Sequence, residues 1–559
     1  MLLGLAAVAY NGALGNGYCL DDRGIVVDNP QVREGRWGEI FLTDYWSPIG
    51  ANTGLYRPLT VASLALGHAL FGGPAWGQHL INLLLHLLAL AGVYKLASSL
   101  SGPQGGLLAG LYFGLHPALS EAVIGIVSRA ELLSFCLGLG GVWVWSGLAR
   151  RPWSWPHLAG LLALAAAPLA KENGICFALG LVLWGLWRHP RRRALWLGAL
   201  GAGGCALGIK WLVLGQLQPS DIGFIDNPLA AAHPLVRSLN SFPLLIRYLR
   251  LLVFPWPLSA DYSYNQIPVL EDLGSGQLWL PLLLVASLGW AIWLGVRRHP
   301  ELFLWTLISG GALVLVSNLL VAGGTIFAER LLYLPAAACC LGMGWLGSRL
   351  PRPVFLLVAG GWCLATLPLL WVHSAHWKDD LSLFRRSVEV APRSARVHYG
   401  LGHALHEQGD VAGAVAAYQR ATRIYPGYAV AYYNEGAALL SLGREAEALA
   451  SYRQAVQIRP NFAKALYAVA VLVQHLEGEK AALRSYQALL AVEPGHTKGV
   501  AAMRGILLRQ GDREQAAQVV RRALAQRPDD PELRHLLEAP PSPGADPGSP
   551  RDLKPPRTL

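Results

Sequence analysis

YCLDDRGIVVDNP, residues 18–30, follows directly on an apolar run, Met1–Gly17. If that run is a membrane helix, the adjacent carboxylates Asp21 and Asp22 stand where it emerges into water. Arg23 follows them, and Asp28-Asn29-Pro30 closes the stretch with a turn signal. Two readings fit these residues: a solvated cap on a loop, or a general base at a membrane boundary. Met1–Gly17 has the length of a signal peptide but lacks a basic n-region and a clear small-x-small cleavage site, so it is expected to stay as a helix.

Outward from this stretch, composition divides the chain. Of 559 residues, 53% are hydrophobic and 14% charged, with a mean hydropathy of +0.35. Residues 1–372 are almost continuously apolar, and residues 373–559 have the charge content of a soluble protein. Much of the net charge of +11 falls in short arginine clusters between apolar segments, which is a topology signal and gives no support to nucleic-acid binding. The seven cysteines show neither metal-ligand spacing nor a disulfide pattern.

A bilayer needs about 20 apolar residues per helical crossing. By that measure spans fall near 1–17, 78–98, 105–118, 130–148, 157–170, 174–187, 194–215, 278–297, 301–321, 330–347 and 353–372. The stretches 56–71 and 240–258, broken by Pro and Gly or bearing Arg, read as helices at the membrane surface. Eleven spans starting inside put Arg150-Arg151, Arg188 with Arg191–Arg193, Arg297-Arg298, and Arg349 with Arg352 all on the cytoplasmic side. The opposite side then collects Asp21, Asp22, Arg57, His116, Glu121, Arg129, Glu131, Lys171, Glu172, Glu329 and Arg330. Charges at membrane depth cost about 2.5–3.5 kcal/mol each on insertion scales, so they pair or serve a function. Lys171-Glu172, Arg129/Glu131 and Glu329-Arg330 either neutralise one another or share a polar site. His116, beside Pro117, is either a packing residue at a helix end or a substrate contact.

From residue 373 the pattern changes to short amphipathic helices. Pro392, Pro426, Pro460, Pro494 and Pro528 recur every 34 residues, the length of a tetratricopeptide repeat. Gly402 and Gly436 fall where paired helices approach closely. Ala414, Ala448, Ala482 and Ala516 fall at the small packing position, and Tyr418, Tyr452 and Tyr486 at the large one. The expected divisions are a membrane domain over 1–372, a connector and half-repeat over 373–394, four repeats over 395–528, and a disordered Pro-rich tail over 539–559. Such a solenoid binds peptide segments in its concave face. His403, His406 and His475 are spread along helix faces and do not suggest a metal site.

Several motifs now read together: LDDRGIVVDNPQV (20–32), DYW (44–46), YRPLT (56–60), HLINLLLH (79–86), LHPALSEAVIGIVSRAELLS (115–134), AKENGI (170–175) and FAERLLYLP (327–335). In this order, followed by the repeats, they resemble the transmembrane and tetratricopeptide repeat-containing O-mannosyltransferases and their bacterial relatives, over roughly residues 18–530. Ser128 departs from the family pattern, which often has Gly there, and four repeats are fewer than eukaryotic members carry.

The resemblance implies an all-α chain: a polytopic GT-C-like helical bundle followed by a tetratricopeptide-repeat α-solenoid. It also implies a polyprenyl- or dolichyl-phosphate sugar as donor, mannose or another hexose, and Ser or Thr hydroxyls of proteins as acceptor, with membrane lipids as further partners. Carried over by position, Asp21-Asp22 is the catalytic acidic motif, with Asp22 slightly favoured as base. His116, Glu121, Glu131, Glu172 and Glu329 would support the site. An acceptor hydroxyl needs a carboxylate to take its proton, and the departing phosphate needs fixed cations. Arg57, Arg129, Lys171 and Arg330 are the candidates. No cofactor is required on this scheme, although the acidic residues would admit a divalent cation. A bacterial inner membrane with periplasmic repeats is favoured over an endoplasmic reticulum membrane with luminal repeats. The competing expectations are a non-catalytic repeat scaffold and a transferase acting on a glycan or lipid.

Overall fold

A helix stands at every one of the expected membrane segments. The computed structural model describes residues 1–148, 155–217 and 222–538; Arg150-Arg151 and the tail from Ala539 lie outside them. Among the described residues every regular element is helical and no strand occurs. The segments expected at 78–98 and 105–118 run together as Ala75–Leu115, broken where Ser101 and Gly102 leave helical geometry. The stretch 56–71 becomes the helix Pro58–Phe71, with Pro at its start, and 240–258 lies mostly within Pro234–Val253.

Among the described residues four helices are long and apolar enough to cross a membrane: Ala75–Leu115, Leu195–Leu214, Gly276–Val296 and Arg352–His376. Pro117–Ile124 with Arg129–Trp145 adds a fifth if the bent pair is one span. The other apolar helices, among them Trp155–Ala170, Pro300–Val316 and Ala336–Gly347, fall short of full length. Polar corners bound these short helices, and the span expected at 330–347 is cut back by one of them. Lys171 and the turn Glu172–Gly174 separate Trp155–Ala170 from Ile175–Arg188, and the turn Glu329–Leu332 precedes Ala336–Gly347. The chain is thus an integral membrane protein, with fewer full-length helices among the described residues than the eleven spans expected.

Packing divides the chain into two units, Met1–Ser394 and the residues from Ala395 onward. The boundary falls after the helix Asp380–Val390, so the expected half-repeat belongs with the membrane unit. In that unit Phe113, Phe135, Phe177 and Tyr333 are buried ring against ring, with Phe113 5.4 Å from Phe135 and 5.1 Å from Tyr333. Ala75–Leu115 crosses Ala336–Gly347 at Gly105 and Gly344. A Cβ on Gly105 would lie 2.7 Å from the Gly344 carbonyl oxygen, a spacing that only glycine allows. Leu88, Leu162, Trp290, Leu357 and Leu364 stand exposed on the outer faces of their helices, which lipid would cover.

In the second unit, four helix pairs run from Ala395–Glu407 to Arg513–Gln526, with Pro531–Glu538 after them. A Cβ on Gly402 would meet the Tyr418 ring at 2.7 Å, and one on Gly436 the Tyr452 ring at 2.9 Å. Those contacts explain the repeated Gly and Tyr. In the last pair Val520 is fully buried where the earlier pairs bury tyrosine.

Candidate functional site

The block LHPALSEAVIGIVSRAELLS folds as a sharp corner. The helices Pro117–Ile124 and Arg129–Trp145 meet at 104° across Gly125–Ser128, freeing backbone groups that must find partners. Asn82 supplies one, its Nδ2 donating to the carbonyls of Gly125 (2.9 Å) and Val123 (3.3 Å). Asp22 supplies another, with Oδ1 accepting from the Val127 N–H at 2.9 Å. Arg129, fully buried, locks the arrangement: its Nε donates to Asn82 Oδ1 (2.7 Å), and its two other nitrogens to the carbonyls of Ser63 (3.0 Å) and Gln78 (2.7 Å).

Asp22 and Arg129 are therefore part of the framework. Asp22 is buried, its Oδ2 also accepts from the Cys19 N–H at 3.2 Å, and burial pushes its carboxyl up to about 7. Arg129 has no exposed edge to offer a phosphate, which corrects the expectation that it binds the donor. Asp21 differs from its neighbour. It is only half-buried, and its charge acts on Arg330 and Tyr45.

Around Asp21 the remaining charges form three cation–carboxylate pairs, none between the sequence neighbours expected to neutralise one another. Arg57 grips Glu172 bidentately at 2.9–3.1 Å and lies over the Tyr45 ring at 5.2 Å. Lys171 pairs with Glu131, which also accepts from Asn173 at 3.0 Å. Arg330 holds Glu121 through a side-chain bond and through its backbone N–H at 2.8 Å. Burial pushes Lys171 down, against the pull of Glu131. For Glu172 burial acts upward, yet Arg57 holds it below the usual carboxylate range. Arg57 and Arg330 both act on Lys171, so the three pairs form one cluster. Its accessible members are Arg57 with 18% of its side chain exposed, Arg330 with 28% and Glu172 with 35%.

Two expected residues point elsewhere. Glu329 is buried, its Oε1 accepting from the Ser259 N–H (2.7 Å) and the Tyr262 hydroxyl (2.5 Å), and burial pushes it well up. His116 is fully buried. Its Nε2 meets the Leu252 carbonyl at 3.0 Å, and its ring lies 4.8 Å from Tyr112 and 5.6 Å from Trp362. Asn82, Tyr45 and Lys210 are not singled out in the sequence: the first two lie within the motifs HLINLLLH and DYW, and Lys210 within the apolar stretch 194–215. Among the described residues no three His, Cys, Asp or Glu side chains gather closely enough to hold a metal ion.

Comparison with known proteins bears on both units. Residues 57–209 match the model described as dolichyl-phosphate-mannose-protein mannosyltransferase. Residues 218–289 match protein O-mannosyl-transferase TMTC, DUF1736. Tetratricopeptide-repeat models match 381–429, 429–462 and 480–539. The chain is 29% identical over 479 residues to protein O-mannosyl-transferase TMTC4 of Mus musculus, covering 72% of this chain and 63% of that protein. It is 26% identical to TMTC2 of Homo sapiens, covering 75% and 61%. The chain thus spans less than two thirds of the length of these relatives. A solved structure of ArnT from Cupriavidus metallidurans bound to undecaprenyl phosphate aligns with 83% of this chain and 79% of its own, at 17% identity and a TM-score of 0.39.

Proposed function

We propose that this chain transfers a sugar, mannose or another hexose, from a polyprenyl- or dolichyl-phosphate carrier to Ser or Thr hydroxyls of proteins. The relatives are named protein O-mannosyl-transferases, and one matched model is that of a dolichyl-phosphate-mannose-protein mannosyltransferase. The observation that carries the proposal is the half-buried Asp21 acting on the partly exposed Arg330, while Asp22 is buried under two backbone N–H groups.

On this reading Asp21 takes the proton from the acceptor hydroxyl as its oxygen bonds to the anomeric carbon. The bond from that carbon to the phosphate oxygen breaks, and the lipid phosphate leaves with the electron pair. A single displacement inverts the anomeric centre. Arg57 and Arg330, whose forked guanidinium groups suit phosphate oxygens, stabilise the leaving group. The reaction faces away from the cytoplasm, in the periplasm or the endoplasmic reticulum lumen, and the domain from Ala395 presents the protein substrate.

Asp21→Asn should abolish transfer of labelled sugar from a synthetic lipid-phosphate donor to acceptor peptides while the purified protein keeps its thermal midpoint. Asp22→Asn should lower that midpoint. Full transfer by Asp21→Asn would remove the base assignment. Failure of the wild type to bind any lipid-phosphate sugar would instead favour a non-catalytic scaffold.

A further inference from the structure

Residues 256–266 form a loop between the helices Pro234–Val253 and Gly276–Val296, and it is fastened on two sides. On one side it holds Glu329, whose Oε1 accepts from the Ser259 N–H at 2.7 Å and the Tyr262 hydroxyl at 2.5 Å. On the other it holds Arg393 and Ser394, the last residues of the membrane unit. Ser394 Oγ donates to Asp261 Oδ1 at 3.0 Å. The Asn265 N–H donates to the Arg393 carbonyl at 2.9 Å, and the Arg393 N–H to Gln266 Oε1 at 3.1 Å. Arg386 lies over the Trp256 ring at 4.8 Å.

Asp261 ties the two sides together. Its Oδ1 also accepts from the N–H (2.9 Å) and the hydroxyl (2.5 Å) of Ser263, and its carbonyl accepts from Ser259 Oγ at 3.0 Å. Ser259, Ser263 and Ser394 are all buried, so their donors depend on protein acceptors. Glu329 directly precedes Arg330, which Glu121 holds in turn through the Arg330 N–H at 2.8 Å and the guanidinium.

We propose that Asp261 is a positioning residue for the transfer reaction, acting through Ser259, Tyr262 and Glu329 to keep Arg330 aimed at the phosphate of the lipid-linked donor. This rests on the transferase reading. Without the Asp261 carboxylate the turn that presents Ser259 and Tyr262 loosens, and Glu329 and Arg330 shift with it. A displacement of about 1 Å at a reacting group costs up to about a hundredfold in rate.

A double-mutant cycle on the full-length protein in detergent tests the coupling, with transfer of labelled sugar from a synthetic lipid-phosphate donor to acceptor peptides as the readout. Asp261→Ala should lower kcat about tenfold or more. Asp261→Asn, whose amide oxygen still accepts from Ser263 and Ser394, should keep most of the rate. Ser394→Ala, which removes one bond to Oδ1, should fall between them. Asp261→Ala combined with Arg330→Gln should be no slower than Arg330→Gln alone, because Asp261 then has no guanidinium to position.

Losses that multiply in the double variant overturn the proposal and make Asp261 a structural residue, with the transferase reading intact. Wild-type kcat in Asp261→Ala overturns it as well. If Asp261→Ala fails to fold, Ser394→Ala takes its place in the cycle and the same comparison decides. Wild-type kcat in Arg330→Gln removes the phosphate role of Arg330 and the proposal with it. A wild type that neither transfers sugar nor binds the donor removes the transferase reading itself.

Discussion

At the scale of single residues, the two aspartates of the acidic motif divide their work. Asp22 is buried, and both its oxygens accept backbone N–H groups, so it fixes the corner; Asp21 remains accessible. The division has a pH signature. Burial raises the folded Asp22 carboxyl to about 7, above its unfolded value. A carboxyl raised by folding contributes stability that is fully present below the unfolded pKa, near 4, and is lost as pH rises through the folded value. The wild type should therefore melt at a lower temperature at pH 8 than at pH 5.5, and Asp22→Asn should flatten that slope. Parallel profiles for the two proteins would show that Asp22 does not titrate in this range. The sequence slightly favours Asp22 as base, the opposite of the assignment proposed above. What separates them is the N–H of Val127, 105 residues away, and no local pattern carries that contact.

At the scale of elements, the corner between Pro117–Ile124 and Arg129–Trp145 depends most on Asn82. Its amide donates to Gly125 and its oxygen accepts from Arg129, so removing it leaves a buried carbonyl and a buried guanidinium short of partners. Asn82→Ala should cost about 3 kcal/mol, read as a lower midpoint of thermal unfolding in detergent. An unchanged midpoint would show that the corner is held by other contacts. The helices themselves were legible, because apolar runs and the 34-residue period leave strong patterns. The charge pairs were not. Lys171 and Glu172 are adjacent in sequence but turn to Glu131 and Arg57, and Glu329 and Arg330 turn to Tyr262 and Glu121. Successive residues of a helical turn do not face each other, so adjacency was a poor guide to pairing.

At the scale of the whole molecule, the proposed orientation can be read by labelling. With Arg297-Arg298 on the cytoplasmic side and the acidic loop opposite, a cysteine at the exposed Asp28 should react with a membrane-impermeant maleimide from the non-cytoplasmic side. A cysteine at Arg298 should react only after the membrane is opened. The reverse pattern would overturn the orientation. The corner carries a further consequence, for the order in which the chain is made. Asp22, Ser63, Gln78 and Asn82 all precede it, so every group that satisfies its backbone and Arg129 already exists when it leaves the ribosome. Glu121 is in the opposite position, since its cation, Arg330, is synthesised 209 residues later. Through that interval the carboxylate has no arginine to pair with, so its segment reaches its final contacts only after Arg330 has been made.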